Sequence, residues 1–208
     1  MAQRESTTIF TIGHSTLPYE RFLALLRSAG ISAIADIRTS PFSRHFPQFN
    51  KDSLREELRL DGIAYSYLGK ELGGRPRDSQ YYSDGVADYE RMAMAPEFQL
   101  GLDRVAEGAR NYRIALMCSE HDPLDCHRCL LVGRALTEQG TTINHILADG
   151  RIAPQTDIEA RLLRISGREG DDLFAPREER LSAAYRERAR RVAFAERPLN
   201  SSESTAAE

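Results

Sequence analysis

Residues 118–129 read Cys-Ser-Glu-His-Asp-Pro-Leu-Asp-Cys-His-Arg-Cys and hold every cysteine of the chain, Cys118, Cys126 and Cys129. Taken as an N-cap, Asp125 places Cys126, His127 and Arg128 in the first turn of a helix. Free backbone N–H groups there attract negative charge and favour a thiolate over a thiol. Arg128 adds a fixed cation, so this stretch predicts an anion cradle beside a reactive Cys126. Glu120, like Asp36 and His14 upstream, is a candidate for proton transfer, and Cys118 is either a second reactive thiol or a small core residue at a strand end. Cys129, on the same helical face as Cys126, reads as packing. The stretch has enough soft donors for zinc if His127 or His121 joins the thiols. The step from Cys118 to Cys126 is no zinc knuckle, however, and no second CxxC pair exists. No metal or other cofactor is therefore expected, with zinc the less favoured alternative. A phosphatase or sulfurtransferase loop is excluded by spacing: Arg128 is too far from Cys118 and too near Cys126 to close one cradle.

Other chemistry lies upstream. Asp36 and Arg38 share parity, so on a strand they point the same way. They read either as an ion pair closing the strand or as Asp36 orienting Arg38 while Arg38 and Arg44 hold an anion. His14 with Ser15 is an acid–base candidate or a brace for the sheet edge. Ser43, Arg44, Tyr67 and Lys70 sit in loops or at strand ends where an anionic ligand can meet them. Gly73-Gly74-Arg75 reverses the order of a phosphate-binding loop and is followed by Pro76. It reads instead as a flap presenting Lys70 and Arg75. His145, inside a strand, reads as a core histidine.

These residues need a scaffold, and the hydrophobic pattern supplies one. β-Branched or buried runs at Thr8–Ile12, Ile31–Ile37, Ile63–Leu68, Tyr112–Met117 and Thr141–Leu147 read as strands. Between them lie helical stripes: Phe22, Leu25, Leu26 and Ala29 before Gly30; a helix with a Ser53/Glu56 capping box before Gly62; Phe98 to Ala109; and Cys126 to Gln139 before Gly140. Ile158 to Ile165 closes the series. The expected fold class is α/β, a mainly parallel sheet of about five strands with helices on both faces, plus an Arg-rich C-terminal helical extension. The α/β domain is expected over residues 1–166. A linker, a helix from about Arg177 to Arg197 and a disordered tail from Asn200 follow over 167–208. In a parallel sheet all carboxyl ends lie on one rim, where open α/β sheets bind ligands. His14, Asp36, Tyr67 and Cys118 all fall there.

The 208 residues are 41% hydrophobic and 28% charged, which suits a globular chain and argues against wholesale disorder. No apolar run approaches the roughly 18 residues of a membrane span, and the first residues lack a secretory apolar region. A cytoplasmic protein with reduced thiols and no membrane partner is expected. The net charge of −3 argues against a surface that grips nucleic acid throughout. Lys51 and Lys70 are the only lysines, so arginine richness reflects codon usage as simply as function.

Four motifs in order carry a resemblance: Thr11-Ile12-Gly13-His14-Ser15-Thr16; Asp36-Ile37-Arg38 with Pro41 and Ser43-Arg44; Leu68-Gly69 with Gly73-Gly74; and Cys118 with Cys126-His127-Arg128. From about Thr8 to Ile165 the chain is similar to the domain of unknown function 488 family. The resemblance implies a compact bacterial or archaeal α/β domain whose motif residues are these rim residues, and no particular reaction. Two classes of function follow from the residues. One is an enzyme acting on an anionic substrate, phosphorylated, nucleotide or nucleic acid. The other is a non-catalytic anion or nucleic-acid sensing module, or a Cys/His metal-dependent protein. Oligomeric state is not encoded in the pattern.

Overall fold

The computed structural model describes residues 7–170 and 175–196. In chain order β1 (Thr8–Gly13), α1 (Tyr19–Ser28), β2 (Ala33–Asp36), α2 (Lys51–Leu60) and β3 (Ala64–Tyr67) alternate. A hairpin of β4 (Tyr82–Ser83) and β5 (Val86–Ala87) follows, with α3 (Tyr89–Ala93), α4 (Pro96–Gly108) and β6 (Ile114–Cys118). A π-helical turn, Arg128–Gly133, runs directly into α5 (Arg134–Glu138). The chain then forms β7 (Thr142–Ile146), β8 (Ile152–Pro154), α6 (Gln155–Ile165) and α7 (Arg177–Val192).

The main sheet has six strands in the order β3-β2-β6-β1-β7-β8. Five are parallel; the sixth, β8, is a short antiparallel edge on β7 that the sequence pattern did not predict. Its three residues, ending in Pro154, are too few to show alternation. Side-chain parity separates the two faces. Phe10, Ile12, Ile34, Ala115 and Met117 pack with α1 and α2, while Ile9, Ala35, Ile37, Leu116 and Cys118 pack with α4, the 128–138 helix, α6 and α7. The chain thus leaves adjacent strands β1 and β6 towards opposite faces, which opens a crevice at their carboxyl ends.

Two helix starts differ from expectation. No capping box forms at Ser53: the turn Pro47–Phe49 starts α2 earlier, extended Asn50 precedes it, and Ser53 lies inside the helix. Asp125 caps nothing either, because Asp122 and Pro123 open a separate short turn in which Asp122 Oδ1 accepts from Leu124 N–H at 2.8 Å. Cys126 is the capping residue. Its backbone is extended, its carbonyl accepts from the Cys129 and Leu130 N–H groups, and its Sγ lies 3.4 Å from Arg128 N. The C-terminal helix stops at Val192, short of Arg197. It packs on α6 and buries Ala184 and Tyr185 in the core. The chain beyond it bridges Ala195 to Val86. The expected disordered tail, 200–208, lies outside the described residues.

Candidate functional site

β6 ends at Cys118, and the Pro123–Asp125 turn carries the chain back so that Cys126 and His127 face it. The Cys118 and Cys126 Sγ atoms both lie 2.9 Å from Glu120 Oε2, and they lie 3.6 and 3.9 Å from His127 Nδ1. All four donor atoms fall within 4.8 Å of one another, so this cluster could hold a metal ion. The eight-residue step that is no knuckle in sequence is closed by the fold. His127 Nε2 is engaged by the Ile37 carbonyl at 3.0 Å. A carbonyl can only accept, so Nε2 carries the proton and Nδ1 faces the sulfurs. Arg128 is buried and does not reach a ligand space: its terminal nitrogens donate to the Glu120 and His121 carbonyls at 2.6 and 2.9 Å. It clamps the turn that aims Glu120, and its Nε has no partner among the described residues.

Across the sheet edge stands a second cluster. Arg38 donates from Nε and Nη2 to Asp36 at 2.9 and 2.6 Å, and from Nη2 to the Phe49 carbonyl at 2.8 Å. Asp36 also accepts from the Arg38 N–H and the Tyr65 hydroxyl. Arg38 Nη1 lies 3.2 Å from His14 Nε2, whose Nδ1 bonds the Ser15 carbonyl at 2.9 Å, and the ring stacks on Phe49. Only one of the five Arg38 N–H groups is uncommitted. Geometrically Asp36 and Arg38 form a closed ion pair that His14 braces.

A cavity of about 290 Å³ opens between the clusters. Of the residues predicted for a site, Arg38, Gly74, Arg75, Cys118, Glu120 and His127 line it, and Cys126 stands behind Glu120. Asp36 and His14 lie behind Arg38. Ser15, Ser43, Arg44, Tyr67, Lys70 and Gly73 do not line it. Ser43 Oγ instead accepts from the His45 and Phe46 N–H groups, and the Tyr67 hydroxyl donates to the Thr39 carbonyl. Arg44 and Lys70 are exposed. The walls that sequence reading missed are Thr39, Ser40, Tyr89 and Asp125, with Val192 at the end of α7 and Phe194 just beyond it. Ser119 also lines the cavity, as its place between Cys118 and Glu120 at the end of β6 predicts.

The motif glycines make these approaches possible. A Cβ on Gly74 would sit 2.8 Å from the His127 ring, and one on Gly13 would run into the Glu120 carbonyl. Cations and anions are unevenly matched at the cavity mouth. Asp125 pairs with Arg188, whereas Arg75 stacks on Phe194 at 4.9 Å and has no carboxylate partner among the described residues.

Burial raises both thiols, and the neighbours of Cys126 separate them. Burial, with the Cys126 and Glu120 charges, pushes the Cys118 thiol well above its usual value. At Cys126 burial acts in the same upward direction, but the Cys118 hydrogen bond, the Arg128 charge and His127 outweigh it and bring that thiol well below. Burial also raises the Glu120 carboxyl above its usual range, helped by Cys126. His127 would be lowered by burial, yet Cys126 and Glu120 leave it raised. His14 goes the other way, down to about 4, through burial and the Arg38 charge.

Among described residues no helix is long and apolar enough to cross a membrane. Comparison with protein families finds one model, described as a domain of unknown function, DUF488, that matches residues 18–135. No curated protein and no solved structure matches the chain.

Proposed function

We propose that this chain, which belongs to the DUF488 family, is an enzyme acting on a small anionic molecule held in the rim cavity. The observation that carries this reading is the meeting, in one space of about 290 Å³, of a Cys118/Glu120/His127 floor with an uncompensated Arg75 at the mouth. A plain anion binder has no use for a half-buried carboxyl held above its ordinary range beside two thiols; an acid–base catalyst does. In this reading Arg75 holds the anionic group, the Thr39, Ser40 and Ser119 hydroxyls orient the rest, and Glu120 moves the proton. The closed Asp36–Arg38–His14 cluster is the wall against which the substrate lies. A cavity of this size suits a small phosphorylated compound or one nucleotide rather than a nucleic-acid duplex.

Titration calorimetry with inorganic phosphate and with AMP tests the binding half. Arg75→Ala is expected to weaken either probe about tenfold, the scale of a charge-assisted hydrogen bond, while Glu120→Gln keeps the affinity. Affinity unchanged by Arg75→Ala, or no binding of either probe, overturns the assignment of the mouth. A turnover screen over phosphate mono- and diesters tests the catalytic half. Glu120→Gln should abolish kcat, and affinity without turnover across the panel would move the protein to the non-catalytic class.

A further inference from the structure

We infer that Cys118, Cys126 and His127, with Glu120 as fourth donor, hold one divalent thiophilic metal ion of the zinc class on the floor of the rim cavity. This deepens the reading above and rests on it only for the use to which the ion is put.

The donor geometry is the first argument. A tetrahedral ion bonded at about 2.3 Å to sulfur and about 2.0–2.1 Å to nitrogen sets its sulfur–nitrogen edges near about 3.5 Å. The two edges here are 3.6 and 3.9 Å. Both sulfur–oxygen edges, 2.9 Å, are shorter, so Glu120 must withdraw slightly to admit an ion. That makes it the natural ligand to yield its place to water or substrate, since it lines the cavity.

The shell around the donors is the second argument. A metal-bound histidine characteristically gives its other N–H to a backbone carbonyl, which fixes the tautomer and the ring plane. His127 does this with Ile37 at 3.0 Å, and Gly74 leaves room for the loop to press on the same ring. Two thiolates and a carboxylate around a divalent ion leave one excess negative charge. The buried Arg128 guanidinium next to the cluster is placed to balance it. Two sulfur donors favour zinc-class ions and disfavour magnesium or calcium. Cys129 takes no part: it faces Gln155 at 3.8 Å on the far side of the helix.

The ion reassigns the thiols. Cys126 lies behind Glu120, outside the cavity lining, where a nucleophile would not meet substrate but a ligand is well placed. When bound, such an ion supplies Lewis acidity at the cavity floor. Glu120 then faces both the ion and the Arg75 mouth.

The test uses the full chain purified without chelator. Elemental analysis is expected to find zinc-class metal at one ion per chain. Cobalt(II) added to the stripped protein should give sulfur-to-cobalt charge transfer and the intense visible bands of a tetrahedral site. Cys118→Ser, Cys126→Ser and His127→Ala should each lower cobalt affinity by at least about 10–100-fold, the range that even outer partners of a metal command. Cys129→Ser should leave the spectrum unchanged. If the wild-type chain, with three thiols free by titration, takes up neither zinc nor cobalt, the inference is overturned whatever the variants do. Phosphate binding that persists in such a metal-free chain leaves the proposed function standing. Metal binding without affinity for phosphate or AMP supports this inference and removes the anionic substrate instead.

Discussion

Two polar clusters stand back to back across the carboxyl edge of the sheet, each with one buried histidine. His14 has both ring nitrogens engaged, by the Ser15 carbonyl and by Arg38, while Arg38 in turn is consumed by Asp36 and Phe49. His127 has one nitrogen engaged by Ile37, and the other faces two sulfurs and a carboxylate. Burial disfavours charge on both rings. Beside a cation His14 is lowered to about 4; beside Cys126 and Glu120, His127 is raised. Burial therefore does not mark the reactive histidine. What marks it is a ring nitrogen that faces two thiol sulfurs rather than a backbone carbonyl or a committed guanidinium.

The sharpest way to break the comparison is to open the closed cluster. Asp36→Ala strands the buried Arg38 charge, together with the Tyr65 hydroxyl that Asp36 accepts from. It should cost about 3–5 kcal/mol in urea unfolding. Protein that still folds should bind cobalt like wild type, because no metal donor has been touched. If Asp36→Ala is stable but loses cobalt, the clusters are one unit and the contrast fails.

Next in size is the pH response of His14. Its folded value of about 4 lies below the roughly 6.5 of an unfolded histidine. The unfolded chain therefore takes up the proton first, and the stabilising contribution, complete above about pH 6.5, is lost as pH falls towards 4. The shift corresponds to about 3 kcal/mol. His145 is also lowered to about 4, by burial foremost, so the wild-type slope contains both. The stability advantage of wild type over His14→Gln isolates the first, and it should shrink as pH drops from 7.5 to 5. A difference that stays constant would show that His14 is not held neutral.

Gly74→Ala probes the open cluster. Its Cβ would press on the His127 ring at 2.8 Å. The cost in stability should be about 1–3 kcal/mol, the range for overpacking, with cobalt affinity reduced about 10–100-fold. Gly170→Ala, with nothing among the described residues within 4 Å, is the matched control. Unchanged cobalt affinity in Gly74→Ala would mean the ring is not fixed from that side. Smallest is Tyr65→Phe, which removes one hydrogen bond to Asp36. It should cost about 1 kcal/mol and leave cobalt and phosphate binding alone.

Much of this arrangement is legible in the residues. Period-two and period-3.6 patterns place five strands and most helices, and strand ends alone put His14, Asp36 and Cys118 on one rim. Parity alone pairs Asp36 with Arg38. It does not tell that β6 inserts between β2 and β1, so that Asp36 and Cys118, on adjacent strands, face opposite sides of the sheet. The cap at Cys126 is hidden because Pro123 starts its own turn, and an N-cap at Asp125 is locally just as plausible. The convergence of Cys118 with Cys126 depends on that same turn, which is why spacing rules argued against a metal cluster. Val192, the last residue of α7, and Phe194 just beyond it reach the cavity by tertiary return of this end of the fold. No local pattern encodes such a return.

The contrast between the two histidines is best decided by the imidazole nitrogen-15 spectrum of the metal-free chain as one equivalent of zinc is added. The account predicts that the His127 Nδ1 resonance moves to a metal-bound position with its Nε2 proton retained, while both His14 nitrogens stay where they were. Zinc that leaves His127 unmoved, or shifts His14 instead, would contradict it.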